Sequence, residues 1–325
     1  MERRTFIALV SGGLLAAPLA AEAQPAGKKY RVGVVLEGGP FYRTIDGMRD
    51  GLKELGFEEG TQYILHIRDV KGDPTALEET ARALEREKVD LIWSLATSVT
   101  LPVKRATASV PIVFYAGTDP VAVGLVQSYA KPGGRLTGVT SRTTDLSAKR
   151  LEILKEMSPK IRRVAAFYDP SNMAAQESAK SVREAARQLR IEVVERHVRS
   201  VEELRAGLQA LRPAEVDALA YVSDAMLTSQ TRFVVDTAKA KKLPTISFDR
   251  SFASEGGLAS YGANLYAVGR QSAKYVHRVL LGTSPAELPV ERIDRFELVI
   301  NLKTAKALGL TIPQSLLQRA DEVIQ

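Results

Sequence analysis

Residues Lys29–Leu36, KYRVGVVL, decide the fold because the chain repeats their pattern. The segment is a short apolar run rich in valine, which is typical of a buried β-strand. Ile161–Tyr168, IRRVAAFY, has the same pattern in the second half of the chain. Two further pairs of segments match in the same order: Lys88–Trp93 with Glu215–Ala220, and Val110–Phe114 with Leu243–Phe248. These ordered matches predict two structurally similar halves.

Strand-like runs alternate with helix-length segments in both halves. The predicted strands are Tyr30–Leu36, Tyr63–Arg68, Val89–Leu95, Ile112–Tyr115, Leu136–Thr140, Val164–Tyr168, Glu192–His197, Asp217–Val222, Thr245–Phe248, Leu258–Tyr261 and Glu297–Asn301. The predicted helices include Thr44–Leu55, Thr75–Lys88, Ser171–Leu189 and Ala225–Lys241. This alternation is typical of parallel sheets with helices on both faces. The predicted fold class is therefore α/β, with two doubly wound parallel-sheet lobes.

The predicted domains are a leader and two lobes. We expect a signal peptide in residues 1–23, a first lobe of 28–143 with part of 258–290, and a second lobe of 144–257 with part of 291–325. The predicted crossings between the lobes are Ser141–Ser147 and Arg250–Gly257. In such sheets ligands bind beyond the carboxyl ends of the strands. Two lobes that face each other across those ends form a cleft that can close on a small molecule.

The composition excludes several classes of function. The chain has 325 residues, 45 Lys and Arg against 38 Asp and Glu, and no cysteine. The absence of cysteine excludes disulfides, cysteine-ligated zinc, iron–sulfur clusters, thiol catalysis and a lipid anchor on cysteine. The net charge of +7 is dispersed over mixed-charge segments such as Glu78–Lys88, which is typical of solvated helix faces. We therefore expect no nucleic-acid partner.

The amino terminus has the organisation of an export signal. Arg3 and Arg4 precede an apolar stretch that is shorter than the about 20 residues of a membrane span. Residues 21–23, Ala-Glu-Ala, have the form of a cleavage site, so we expect cleavage near Ala23. The run RRTFI resembles a twin-arginine motif, although Glu2 precedes it. The general secretory route and the twin-arginine route both stay open.

Polar and aromatic side chains follow the predicted strands at the expected cleft. The predicted ligand-binding residues are Glu37, Phe41, Thr97, Ser98, Thr118, Asp119, Thr140, Tyr168, Asp169, Asn172, Ser223, Asp224 and Asp249. Hydroxyl groups orient a small ligand without a charge partner, and helix amino termini attract carboxylates. For the Asp-Pro pairs at Asp119 and Asp169, capping of a helix is an equally simple interpretation. Both roles stay open at these positions.

Motifs of enzyme chemistry are absent from the sequence. It has no G-x-S-x-G, no P-loop and no G-x-G-x-x-G in the strand–helix context that these motifs require. The three histidines, His66, His197 and His277, lack the spacing of metal ligands. We therefore expect no catalysis, no metal and no cofactor.

The whole exported chain, from about Lys29 to Leu310, resembles the substrate-binding proteins of ABC importers with the type I periplasmic-binding fold. Within them it is similar to the group that includes tryptophan and aromatic-amino-acid binding proteins. The resemblance rests on an ordered set of segments: Arg49–Gly56, Gly72–Pro74, Lys88–Ile92, Pro111–Phe114, Thr118–Val121, Lys131–Gly134, Leu136–Val139, Tyr168–Ser171, Gly257–Gly262 and Phe296–Leu302.

The resemblance implies a transport role. A protein of this kind captures a small solute in the periplasm, closes its cleft and delivers the solute to an ABC permease with ATPase subunits. Together with the missing cysteine anchor, it implies a free periplasmic protein, which we expect to be a monomer. Three loops depart from the pattern of the characterised amino-acid binders, so a tryptophan-like ligand does not follow: Gly38–Phe41, Ser223–Met226 and Phe248–Phe252.

The expected ligand is an amino acid or a similar small zwitterion. Asp119, Asp224 or Asp249 would take its ammonium group, while hydroxyls and helix-terminal amides would take its carboxylate. Two other functions stay open from sequence. One is a sensory module that presents its liganded form to a membrane receptor, and the other is an exported enzyme that uses the same cleft.

Overall fold

A computed structural model describes residues 28–325, so the predicted signal peptide lies outside the described residues. The strands are β1 (Tyr30–Leu36), β2 (Tyr63–Asp69), β3 (Leu91–Leu95), β4 (Ile112–Ala116), β5 (Leu136–Thr140), β6 (Arg163–Tyr168), β7 (Glu192–His197), β8 (Ala218–Ala220), β9 (Thr245–Ser247), β10 (Ala259–Ala263), β11 (Glu291–Arg292), β12 (Phe296–Asn301) and β13 (Glu322–Ile324). The α-helices are α1 (Tyr42–Glu54), α2 (Leu77–Arg86), α3 (Thr97–Ala106), α4 (Ser147–Met157), α5 (Met173–Leu189), α6 (Val201–Ala210), α7 (Ala225–Ser229), α8 (Thr231–Ala240), α9 (Arg250–Ser254), α10 (Leu265–Leu280), α11 (Leu302–Ala307) and α12 (Gln314–Arg319). Short 3-10 helices span Gly39–Phe41, Pro74–Ala76, Thr143–Leu146 and Pro285–Glu287.

The strands form two sheets. The first has the order β11-β5-β4-β3-β1-β2, and the second has the order β13-β12-β10-β9-β8-β6-β7. The central strands β3 and β4 are buried along their whole length, because helices cover both faces of the sheet. The prediction of two doubly wound α/β lobes is confirmed.

Two strands of the second sheet, β12 and β13, run opposite to the other five. β12 pairs antiparallel with β10, whereas the other paired strands of the described residues run parallel. After β10 the chain enters the first lobe, where α10 packs on α1 and β11 pairs with β5. It then returns to the second sheet from the side of the first lobe. β12 therefore starts beside the end of β10 and runs in the opposite direction.

The chain passes between the lobes at three places. They are the segment after β5, Asn264 between β10 and α10, and residues 293–295 between β11 and β12. The first lies in the predicted segment Ser141–Ser147. The predicted second crossing at Arg250–Gly257 is wrong, because β10 follows it and still belongs to the second sheet. The third crossing lies close to the predicted domain boundary at 290/291, but β11 before it was not predicted, because it has only two residues and no strand-like pattern.

The predicted helix Ala225–Lys241 is divided in two. α7 ends and α8 begins at Gln230, whose backbone has φ −101° and ψ 20°. Its amide donates to the carbonyl oxygen of Leu227, which closes the last turn of α7. The interruption keeps α7 to the five residues Ala225–Ser229.

Helices α1 and α10 cross at very close range. A β-carbon at Gly47 would collide with the carbonyl oxygen of Tyr266, and one at Gly269 with that of Thr44. Only glycine lets the two backbones approach this closely. This contact fixes the late helix α10 on the first lobe and so completes that lobe.

Candidate functional site

A small cavity of about 50 Å³ lies between the carboxyl ends of the two sheets, where both lobes supply its walls. Six predicted ligand-binding residues line it: Phe41, Thr97, Ser98, Asn172, Ser223 and Asp224. Nine further wall residues are not among the predicted ligand-binding residues, and five of these are aromatic or carry a hydroxyl: Tyr115, Thr143, Thr144, Thr228 and Phe248.

Helix amino termini deliver the polar wall residues to the cavity. Thr97 is the first residue of α3, directly after β3. The side chain of Asn172 caps α5 by accepting from the amide of Ala174 at 3.0 Å. Asp224 caps α7 by accepting from the amide of Met226 at 2.9 Å. The residue types that start helices are thus the ones that face the cleft, so capping and ligand binding are compatible roles.

Four predicted residues lie next to the cavity without being part of its wall. Glu37 and Asp169 line an adjoining cavity of about 240 Å³, which shares Ser98, Asn172 and Asp224 with the first. Thr118 and Thr140 stand behind the wall. The Thr118 hydroxyl lies 2.9 Å from the Thr97 hydroxyl, and the Thr140 hydroxyl donates to the carbonyl oxygen of Thr118 at 2.8 Å. These two threonines support the wall rather than form it.

Three predicted residues are directed elsewhere by their own partners. Asp119 accepts from the amide of Val121 at 3.0 Å and pairs with Arg142 at 3.2 Å. The Tyr168 hydroxyl donates to Glu195, and its ring packs edge-on against His197 at 5.0 Å. Asp249 is buried and caps α9 by accepting from the amide of Ser251 at 2.8 Å. The prediction that Asp119, Tyr168 and Asp249 face the ligand differs from this geometry.

Aromatic rings from both lobes meet at the cavity. The ring of Phe41 lies 6.5 Å from Tyr115 in its own lobe and 6.4 Å from Phe248 in the other. Phe248 lies 5.8 Å from Tyr221, which is buried beneath it. Tyr115 and Phe248 were missed from the sequence because they end apolar strand runs and match the pattern of core residues. Their position at the strand ends was the available signal.

The acidic residues of the site are buried. Glu37 is 2% exposed and accepts from the Ser98 hydroxyl at 3.1 Å. Burial, together with the charge of Asp224, raises the pKa of Glu37 to about 8. Burial also raises the pKa of Asp224 to about 6, although the amides of Asp169 and Met226 oppose this shift. A positive group between these carboxylates would relieve the cost of their charges.

Arg150 is a charged residue in the core beside the cavity, and sequence reasoning missed it. It is 1% exposed, and its guanidinium donates to the Ser223 hydroxyl at 3.1 Å and to the Thr143 carbonyl oxygen at 2.8 Å. Burial lowers its pKa to about 10. The sequence did contain a signal, because Arg150 shares the apolar face of α4 with Leu154 and Met157.

The described residues hold no group of three or more His, Asp or Glu side chains arranged for a metal ion. Among residues 28–325 no helix is both long enough and apolar enough to cross a bilayer.

Comparisons with known proteins agree on one family. The family model for ABC transporter substrate binding proteins matches residues 29–324. A tyrosine-binding protein from Clostridioides difficile is 29% identical to this chain over 264 residues, which is 81% of this chain and 76% of the relative.

Two solved structures bear on the arrangement of the lobes. The structure of an ABC domain in complex with L-Trp from Streptococcus pneumoniae has a TM-score of 0.82 at 27% identity, and the match covers 91% of this chain and 100% of that chain. The ligand-free, open structure of a substrate binding protein with adhesive properties from Clostridium difficile has a TM-score of 0.59 at 25% identity, covering 91% and 99%. The family match spans both sheets and the loops of the cavity. The chain therefore belongs to the ABC transporter substrate binding protein family, which is a family of solute-binding proteins rather than enzymes.

Proposed function

We propose that this chain is the periplasmic solute-binding component of an ABC importer and that its solute is an aromatic amino acid such as tyrosine or tryptophan. The lobes are residues 28–143 and 144–257, completed by parts of 258–290 and 291–325. After export and cleavage near Ala23, the free monomer captures the solute. Closure of the cleft then presents the liganded form to a membrane permease and its ATPase subunits.

The observation that carries the proposal is the aromatic cavity between the two lobes. Phe41 and Tyr115 of the first lobe and Phe248 of the second contribute rings to one space. Aromatic rings attract another ring by stacking and edge-to-face contact. The tyrosine-binding relative and the tryptophan complex support the same class of ligand.

The arrangement of the lobes supports a closed, ligand-competent form. The two solved structures have nearly equal identity and coverage, but their TM-scores differ between the tryptophan complex and the open, ligand-free protein. A rotation of one lobe against the other produces such a difference between otherwise similar folds. In this protein a β-carbon on Gly39 would lie 2.7 Å from the carbonyl oxygen of Thr228 in the other lobe, so the lobes are in contact.

Within this form Asp224 is the favoured site for the ligand ammonium. Of the three aspartates considered from sequence, it is the one that lines the cavity. The amino termini of α3 and α5 lie at the cavity, where their positive dipole ends favour the ligand carboxylate. The hydroxyls of Thr97 and Ser98 lie at the same wall, where each oxygen can accept a hydrogen bond, because Ser98 already donates its hydrogen to Glu37.

Thermal unfolding tests this function. The mature chain from Lys28 is melted with each natural amino acid and with a panel of sugars and organic acids. A ligand that binds the native state at a hundredfold excess over its Kd adds about 2.7 kcal/mol to the free energy of unfolding. We expect tyrosine, tryptophan or both to raise the Tm clearly. A shift with sugars alone, or turnover of the ligand during the assay, would contradict the proposal.

A further inference from the structure

The Arg150 guanidinium is a buried charge without a carboxylate partner. Within the described residues its hydrogen bonds go to hydroxyl and carbonyl oxygens of Thr143, Ser147, Ser223 and Tyr261. The Nε atom of Arg150 has no hydrogen-bond partner among residues 28–325. Proteins seldom bury a charged group without an opposite charge, because desolvation of the charge is costly. The missing negative charge therefore points to a ligand.

Ser223 connects this guanidinium to the cavity. Its hydroxyl oxygen accepts from Nη2 of Arg150 at 3.1 Å, while Ser223 itself lines the cavity wall. Because that oxygen is used as an acceptor, the hydroxyl hydrogen is free to donate into the cavity. A hydrogen bond from a hydroxyl polarised by a guanidinium suits an anionic acceptor. The pair thus forms a receptor for a carboxylate without exposing the arginine.

In the part of the chain that the structure describes, the carboxylates next to the cavity lack a positive partner, just as Arg150 lacks a negative one. Glu37 comes from the first lobe, and Asp224 and Asp169 come from the second. The donor to the Glu37 carboxylate within the described chain is the neutral Ser98 hydroxyl. Asp224 accepts from the backbone amides of Asp169 and Met226, at 3.0 and 2.9 Å. No lysine or arginine within residues 28–325 is among these hydrogen-bond partners of Glu37 and Asp224. The two carboxylates therefore lack a positively charged partner in this part of the chain.

Among the described residues, the group that lacks a negative partner and the group that lacks a positive partner reach the cavity at neighbouring residues. Ser223, which accepts from Arg150, immediately precedes Asp224, and both line the same cavity. An α-amino acid carries its carboxylate and its ammonium on one carbon atom. It can therefore supply the missing negative and positive charges at neighbouring positions.

We propose that Glu37 and Arg150 determine the class of ligand: Glu37 receives the ammonium together with Asp224, and Arg150 acts through Ser223 as the positioning residue for the carboxylate. The site then requires both charged groups of a free amino acid and rejects an analogue that lacks either one. This inference rests on the proposed function and assigns two residues that lie outside the cavity wall. Because Glu37 and Asp224 belong to different lobes, the ammonium also holds the closed form together.

The first test compares three ligands with one ring. L-Tyrosine has both charged groups, tyramine lacks the carboxylate, and 3-(4-hydroxyphenyl)propionate lacks the ammonium. Their Kd values are measured by calorimetry on the mature chain, and the corresponding tryptophan set is used in parallel. We expect both analogues to bind at least about 30-fold more weakly than the amino acid, on the scale of hydrogen bonds to charged groups. Equal binding of the amino acid and either analogue overturns the assignment for the missing group.

The second test uses substitutions with matched controls. Ser223→Ala should lower the affinity for the amino acid about 10-fold. It should leave the affinity for tyramine within about twofold, because tyramine has no carboxylate to contact Ser223. Ser181→Ala, on the outer surface of α5, is the control and should change neither. Glu37→Gln should lower the affinity for the amino acid and leave the affinity for 3-(4-hydroxyphenyl)propionate unchanged or higher. The exposed control Glu177→Gln should change neither affinity.

Arg150 itself is tested with a variant that keeps its charge. Arg150→Lys should bind the amino acid more weakly than wild type but still prefer it to tyramine, while Arg150→Gln should lose that preference. If the glutamine variant does not fold, the Ser223→Ala comparison decides the carboxylate assignment. Equal losses for tyrosine and tyramine in Ser223→Ala overturn it and leave a merely structural role. A chain that binds no amino acid contradicts the proposed function as well, whereas a chain that binds amino acids without requiring both groups contradicts this inference alone.

Discussion

Asp224 combines a structural role and a proposed binding role in one carboxylate. It accepts from the amides of Met226 and Asp169, and it lines the cavity. Asp224→Asn keeps an oxygen that can cap α7 but removes the negative charge. We expect this variant to fold and to bind the amino acid more weakly by about 1.5–3 kcal/mol. Calorimetry measures the loss, and Asp119→Asn, away from the cavity, is the control. Unchanged affinity in Asp224→Asn would remove Asp224 from the site.

Glu37 makes the stability of the ligand-free closed form depend on pH. Its pKa is about 8 in the fold against an ordinary value of 4.5, because of burial and the charges of Asp224, Asp169 and Asp73. The folded chain therefore retains a proton that the unfolded chain releases. Stability is greatest below about pH 4.5 on this account, falls as the pH rises to about 8, and then levels off.

Glu37→Gln removes this contribution. We expect the Tm of the variant to decrease less between pH 5 and pH 8.5 than that of wild type, so that the variant is more stable by about 2–5 °C at the higher pH. Thermal melts without ligand in buffers of constant ionic strength provide the measurement. If the Tm of the two proteins has the same dependence on pH, then the pKa of Glu37 is not raised in the folded chain.

The helices α1 and α10 are held together by glycines. A β-carbon at Gly269 would collide with the carbonyl oxygen of Thr44, which belongs to a helix backbone and cannot move alone. We expect Gly269→Ala to separate the helices and lower the free energy of unfolding by about 1–3 kcal/mol, as overpacking does. Lys274→Ala on the exposed side of α10 should change it by no more than about 0.5 kcal/mol. Urea unfolding measures the free energy of unfolding of both variants and of wild type. An unchanged value in Gly269→Ala would mean that α1 and α10 pack less closely than described.

Elements with a clear period were predicted well from the sequence. Tyr30–Leu36, Leu136–Thr140 and Glu192–His197 have the predicted bounds. The first two are mostly or wholly buried strands, which require a run of apolar or β-branched residues. The two-residue strand β11 and the division of α7 from α8 were not predictable. Both depend on contacts with distant parts of the chain, which leave no local pattern.

The site was predictable in position rather than in detail. The rule that ligands lie at the carboxyl ends of strands selected Thr97, Ser98 and Ser223 correctly as residues of the cavity wall. It could not separate them from Asp119 and Tyr168, because the partners of those side chains are far away in sequence. Arg150 lies in a helix rather than after a strand, so the rule did not reach it.

At the scale of the whole molecule, three chain segments join the two lobes, and the cavity exists only where the lobes meet. Binding of a ligand that contacts both lobes favours the closed arrangement over the open one. We expect the radius of gyration in solution to decrease when L-tyrosine or L-tryptophan is added to the ligand-free protein. Small-angle X-ray scattering measures this change, with tyramine at a concentration well below its Kd as the control. A radius unaffected by a ligand that calorimetry shows to be bound would contradict closure.

The central claim is that the cleft binds an aromatic amino acid. Calorimetric titration of the mature, ligand-free chain with L-tyrosine and L-tryptophan tests it most directly. We predict saturable binding of at least one of them with a stoichiometry of one per chain, as one cavity between two lobes requires. Saturable binding of an aliphatic amino acid or a sugar, with no heat from either aromatic amino acid, would contradict it.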